Sequence, residues 1–131
     1  MPRHKASQPS VRLLRVGETL RHALAEILRR EEIDDPDLAG TSVTVTEVRP
    51  SPDLRHAAVY VEPLGGGRER EVIAALNRHA GFIRGHLGRA VTLKYLPALR
   101  FHADESFAEA ARIRAILKSD KVRQDLEDEG D

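Results

Sequence analysis

Six histidines, at positions 4, 22, 56, 79, 86 and 102, are the side chains best suited to acid–base or metal chemistry, yet none stands in an HxxxH or HExxH pair. Metal binding has no local support, and no cofactor is implied. The chain has no cysteine, which excludes thiolate nucleophiles, disulfides and CxxC zinc sites. A serine nucleophile needs a base and an oxyanion donor beside it, and no GxSxG string occurs. Gly65-Gly66-Gly67 is not followed by the Lys-Ser/Thr pair of a phosphate-cradling P-loop, so it reads as a plain flexible loop. Asp34 and Asp35 lie in an acidic turn with no sign of burial, which predicts ordinary ionisation and no use as general acids at neutral pH. The pattern offers no positive evidence for an enzyme or for a small-molecule substrate.

The residues that do form a constellation are basic. Arg78, Arg84, Arg89 and Lys94 gather around Gly81. A glycine lets a backbone approach a partner closely, and a helix starting just after it presents N–H groups and a positive dipole end suited to phosphate oxygens. Such a cluster would neutralise phosphates without reading sequence, with salt-sensitive affinity as its signature. The alternative is that Gly81 serves a tight helix crossing and the arginines are merely solvated. Arg12 and Arg15 supply a second basic edge on the first helix. Gly85-His86-Leu87-Gly88 matches the GxxG string of a KH nucleotide clamp, but it falls inside a predicted helix rather than at its entrance and reads as a chance match.

The elements that must position these groups follow from periodicity. Leu13, Val16, Leu20, Leu24 and Ile27 repeat every 3.6 residues and predict helix 1 over residues 11–31, ended by the Asp34-Asp35-Pro36-Asp37 turn. Residues 41–48 alternate β-branched and polar side chains as a strand does, with a slip of phase between Val45 and Val48 that suggests a bulge. The Pro50-to-Asp53 turn then returns the chain antiparallel along a second strand, Arg55 to Glu62, with Ala57, Val59 and Val61 on one face. Val72, Ile73 and Leu76 predict a second helix from Glu69 to Arg78. Phe82, Ile83 and Leu87 continue the pattern, but Gly81, Gly85 and Gly88 argue for helix, kink, helix. An extended run, Val91 to Leu96, leads to a third strand at Leu99 to Ala103. Ser106 and Glu109 form a capping box for a last helix with Phe107, Ala110, Ile113 and Leu117 as its stripe and Ile116 beside it. The order predicts an α+β sandwich, with helices on one face of three strands.

A length of 131 residues fits one domain, and 40% apolar content supplies one core. Residues 1–10 read as a disordered basic arm, 11–118 as the domain and 119–131 as a disordered acidic tail. Apolar runs fall far short of the ~20 residues of a membrane span, and the N-terminus lacks a signal-peptide core, so a soluble cytoplasmic protein is expected. The formal net charge is zero, which argues against a nucleic-acid partner until the charges are placed. Residues 1–30 carry +5, residues 31–62 carry −6, residues 63–100 carry +5 and the remainder −4. Both positive blocks hold the basic helices.

Taken together, these pieces resemble the ribosome-binding factor A family of small-subunit assembly factors. The resemblance is carried by Arg12 to Arg15, Ile27-Leu28-Arg29-Arg30-Glu31, Asp35-Pro36-Asp37-Leu38, Val43 to Val48, Asp53 to Ala57 and Val59-Tyr60-Val61. Its most specific part is Gly81-Phe82-Ile83-Arg84, then Leu87-Gly88 and Leu99-Arg100-Phe101. It implies a type II KH fold in which the GxxG loop is replaced by an interrupted helix with an Ala-x-Gly kink, here His79-Ala80-Gly81. A histidine thus stands where the family often has alanine, and a structural role is expected of it. The resemblance further implies a monomer that binds the free 30S subunit and its 16S rRNA during late maturation and supports processing of the rRNA 5′ end without cutting RNA. The expected rRNA contacts are Arg78, Gly81, Arg84, Arg89, Lys94, Arg12 and Arg15. The competing reading is a protein-interaction module that recruits its partner through the strand edge at Arg55 to Val61 and the acidic turn.

Overall fold

The computed structural model describes residues 10–30, 32–65, 67–106 and 110–119. The expected arm and tail, except for Ser10 and Ser119 at their edges, lie outside these residues, as do Glu31, Phe107 and Glu109 with its capping box. The element order is α1 (Val11–Arg29), β1 (Val43–Pro50), β2 (His56–Pro63), α2 (Glu69–Arg78), α3 (Ala80–Ala90) and β3 (Ala98–Ala103). A further helical stretch covers residues 110–119. Its Ile113, Ile116 and Leu117 are exposed and do not join the core.

Helix α1 starts where the Ser10 hydroxyl accepts a hydrogen bond from Leu13 N at 3.1 Å, satisfying a donor that the first turn would leave open. Its buried stripe is Gly17, Leu20, Leu24 and Ile27. Gly17 is there because α1 crosses β1 closely: a Cβ at this position would stand 2.5 Å from the Val48 carbonyl oxygen. The expected slip in β1 is real. Register shifts between Val45 and Glu47, so Thr46 bulges and Val45 and Val48 both face the core.

β1 and β2 pair antiparallel, whereas β2 and β3 pair parallel, with α2 and α3 forming the crossover between them. The order β1-β2-β3 makes β2 the central strand. This overturns the docking edge expected along Arg55 to Val61, because the N–H and C=O groups on both sides of β2 are taken by its neighbours. One sheet face, with Val59, Val61, Leu99 and Phe101, packs against Leu24, Leu76, Ile83 and Leu87 of the helices. The extended run from Val91 to Leu96 is irregular chain rather than strand. The outer edge of β3 is clasped by one side chain: Asn77 Nδ2 donates to Phe101 O at 3.0 Å, and Phe101 N donates to Asn77 Oδ1 at 2.8 Å.

Candidate nucleic-acid interface

The helix break falls on His79, and Ala80 and Gly81 already belong to the first turn of α3. His79 has φ −103° and ψ 15°, the bridge region, so it ends one helix and opens the next. Its N–H bonds back to Ala75 O, and its carbonyl accepts from Ile83 N at 2.9 Å. The change of direction therefore uses the backbone of His79 rather than the freedom of the glycine.

An acidic turn holds this break in place. Asp35 is buried, contrary to the exposure expected of it. Its carboxylate accepts from Asp37 N at 2.9 Å, from Arg78 Nη2 at 2.9 Å, and sits 2.9 Å from His79 Nε2. These contacts, the Asp37 N–H first and then Arg78 and His79, draw its pKa down to about 2. The reason burial did not raise it is that each neighbour stabilises the ionised form. Arg78 also meets Asp37 at 3.1 Å, and Arg68 closes on the other oxygen of Asp37.

The predicted cations thus divide into two kinds. Arg78 is half-exposed but ion-paired to the turn, and Arg84 donates to Pro97 O at 3.1 Å and to Leu96 O at 2.7 Å. Both brace the fold as well as carrying charge. Arg89 in the last turn of α3 and Lys94 beyond it are exposed, and neither has an acidic partner among the described residues. Lys94 Nζ lies 5.5 Å from the centre of the Tyr95 ring. Arg12 and Arg15 are exposed on the first turns of α1, the helix that packs beside α3.

Gly81 and Gly85 lie one turn apart on the exposed side of α3, and a Cβ at either would meet nothing within 4 Å. No tight helix crossing calls for glycine there. What the two glycines leave is bare backbone on the surface, next to the free charge of Arg89 and the positive end of α3. Phe82, 48% exposed, stands beside them with its ring 4.6 Å from that of His86 in an edge-on arrangement. The sequence pattern places Phe82 with Ile83 and Leu87 in one helical run and does not mark it as exposed. The signal lay in its phase, one position before Ile83, which together with Leu87 defines the buried stripe. Bare backbone, free cations and an exposed ring are what a phosphate chain with accessible bases requires.

The family model for ribosome-binding factor A matches residues 12–117. Ribosome-binding factor A of Phenylobacterium zucineum is 66% identical over 118 residues, spanning 90% of this chain and 81% of that protein. The crystal structure of ribosome-binding factor A from Thermus thermophilus superposes with a TM-score of 0.59 at 33% identity, covering 70% of this chain and 94% of that one. A homology model of the Thermus protein, fitted into a cryo-EM map of its complex with the 30S subunit, matches at 32% identity and TM-score 0.55, over 68% and 91% of the two chains. The parallel β3, the α2–α3 pair broken at His79 and the single sheet are consistent with the KH-like fold of these structures. With sequence identity extending over almost the whole described fold, the chain belongs to the ribosome-binding factor A family.

Proposed function

We propose that this protein acts as a monomer in the cytoplasm, binding the free 30S subunit and its 16S rRNA during late maturation and supporting formation of the rRNA 5′ end. It positions RNA and does not cut it. The observation that carries this reading is the exposed strip of α3, where Gly81 and Gly85 leave backbone uncovered beside Arg89 and Phe82. Arg89 and Lys94 are its principal phosphate contacts, with Arg12 and Arg15 as the second edge. Arg78 and Arg84 hold the strip in shape and add to its field. Support for the partner comes from the Thermus relative, whose model was fitted into a 30S complex.

The test is sedimentation with purified 30S subunits at two salt concentrations. Arg89→Glu with Lys94→Glu should weaken binding and flatten its salt dependence, since each lost phosphate contact removes about 0.7 to 0.9 from the slope. Binding unchanged at both salts removes the site assignment. In a strain lacking the protein, accumulation of rRNA with unprocessed 5′ ends that the double variant fails to correct is the expected result for the maturation role.

A further inference from the structure

Along α3 the exposed residues are sorted by chemistry. Phe82, Gly85 and Arg89 follow one another at spacings of three and four, which puts them on one face of the helix. This face runs about 10 Å from a ring, across bare backbone, to a guanidinium group. Phe82 is the single large apolar side chain that α3 exposes. The partly buried His86 ring packs edge-on against it at 4.6 Å, and His86 Nε2 lies 3.6 Å from Glu32, so the phenyl ring is backed from beneath. α3 itself carries no acid. Among the described residues Glu32 is the one carboxylate paired to α3, at the ring end of the face, while Arg89 at the other end meets none. The acids of neighbouring elements are engaged or turned elsewhere. Asp35 and Asp37 hold Arg78, and Glu18 and Glu26 hold Arg21 and Arg29. Asp34 lines a cavity with Leu28 and Val43, and Glu69 and Glu71 sit in the first turn of α2, away from the break.

We infer that Phe82 is a base-stacking residue and that this face takes single-stranded RNA, with one unpaired base on the Phe82 ring, its sugar over Gly85 and the adjoining phosphate at Arg89. The inference rests on the reading that α3 binds RNA, and it narrows that reading to strands whose bases are open. A duplex could give Arg89 a phosphate but could not offer Phe82 a base face, because its bases are stacked on one another. The division of charge fixes the order of the parts. A phosphate beside Glu32 would be repelled, whereas a neutral base is not, and the unpaired guanidinium lies where the phosphate is needed. Gly85 fits the same order: glycine weakens a helix, no neighbour requires it, and a side chain there would stand between ring and cation. A protein anchor is a cluster of large apolar side chains, whereas here one phenyl ring stands among glycines and a cation. A flat ring accepts a base of any identity, so the face selects for an open strand rather than for sequence.

The chain has no tryptophan, so Phe82→Trp sets a single indole on α3 that can still stack and whose emission reports a base laid upon it. The experiment titrates this variant with a uridine hexamer, with a hexamer of abasic ribose phosphates and with an RNA duplex. In parallel, a labelled uridine hexamer is bound to wild type, Phe82→Leu and Arg89→Glu. Emission should be lost on the uridine hexamer and kept on the other two. Phe82→Leu should bind the hexamer about tenfold more weakly with an unchanged salt slope, since stacking releases no counterions, whereas Arg89→Glu should lower the slope by about 0.7. Phe82 is exposed, so the melting temperatures of its variants should match wild type and certify the fold. Hexamer binding that depends on Arg89 while emission is kept, or while Phe82→Leu binds like wild type, overturns the stacking and leaves the α3 reading standing. Emission lost on abasic or duplex RNA also overturns it. So does a hexamer that fails to bind, and 30S sedimentation then judges the α3 reading by itself. If Phe82→Leu weakens 30S binding but not hexamer binding, the ring belongs to a protein contact and the proposal falls.

Discussion

His79 Nε2 lies 2.9 Å from Asp35 Oδ2, across 44 residues of sequence. The ring belongs to the residue that breaks the helix, and the carboxylate to the turn that ends α1. The bend between α2 and α3 is therefore fastened from outside the helices. The same carboxylate holds Arg78.

The fastening has a pH signature. The carboxyl of Asp35 is depressed from 3.8 to about 2 in the folded protein. A depressed carboxylate contributes stability that is fully present above its unfolded pKa and is lost as pH falls through the folded value. Wild-type stability should therefore decline between about pH 4 and pH 2, and Asp35→Asn should be less stable at neutral pH with a shallower acid limb. Urea unfolding at a series of pH values measures both, and parallel acid limbs for the two proteins would contradict the assignment.

Gly81→Ala should separate stability from binding. The new methyl meets nothing within the protein, and alanine is the better helix former by up to about 1 kcal/mol. The variant is expected to unfold at equal or higher urea concentration while binding 30S subunits about fivefold more weakly, the worth of one close backbone contact. Intact binding would show that nothing approaches this strip.

Gly17→Ala is the converse. The same helix preference operates, but the methyl would press on the Val48 carbonyl, which is backbone and yields little. Overpacking of about 1–3 kcal/mol outweighs the gain, so the midpoint of unfolding should fall. A midpoint equal to that of Gly81→Ala would refute the close crossing.

Asn77→Ala removes both bonds that clasp β3. At about 1 kcal/mol each, the expected loss is about 2 kcal/mol, with faster amide exchange at Phe101. Exchange at Val59, which is paired inside the sheet, should change only through global stability.

Much of the scaffold was legible because periodicity is local. Leu20, Leu24 and Ile27 announce one helix face, and the slip between Val45 and Val48 announces a bulge without any knowledge of its neighbours. What stayed hidden was set by contacts distant in sequence. Nothing near Asp35 says that Arg78 and His79 will bury it as an ion, and nothing near Arg55 to Val61 says that β3 will take the second edge of β2. The cluster of cations was visible, but its division was not: Arg84 braces the chain before β3 because the Leu96 and Pro97 carbonyls pass within its reach, whereas Arg89 meets no acid among the described residues.

The parallel pairing of β3 has a consequence for how the chain is made. His56 pairs with Ala98 and Val61 with Ala103, so the central strand has one partner supplied by a short turn and another supplied only after two helices have been synthesised. Closing that long loop carries an entropic cost that the β1–β2 hairpin avoids, and non-local pairing of this kind is slow. A nascent chain released before residue 103 would display an unpaired β2 edge along its apolar Val59 and Val61, an invitation to edge-to-edge aggregation. The last strand is thus a checkpoint on synthesis, and the sheet is finished only when nearly all of the described fold has emerged.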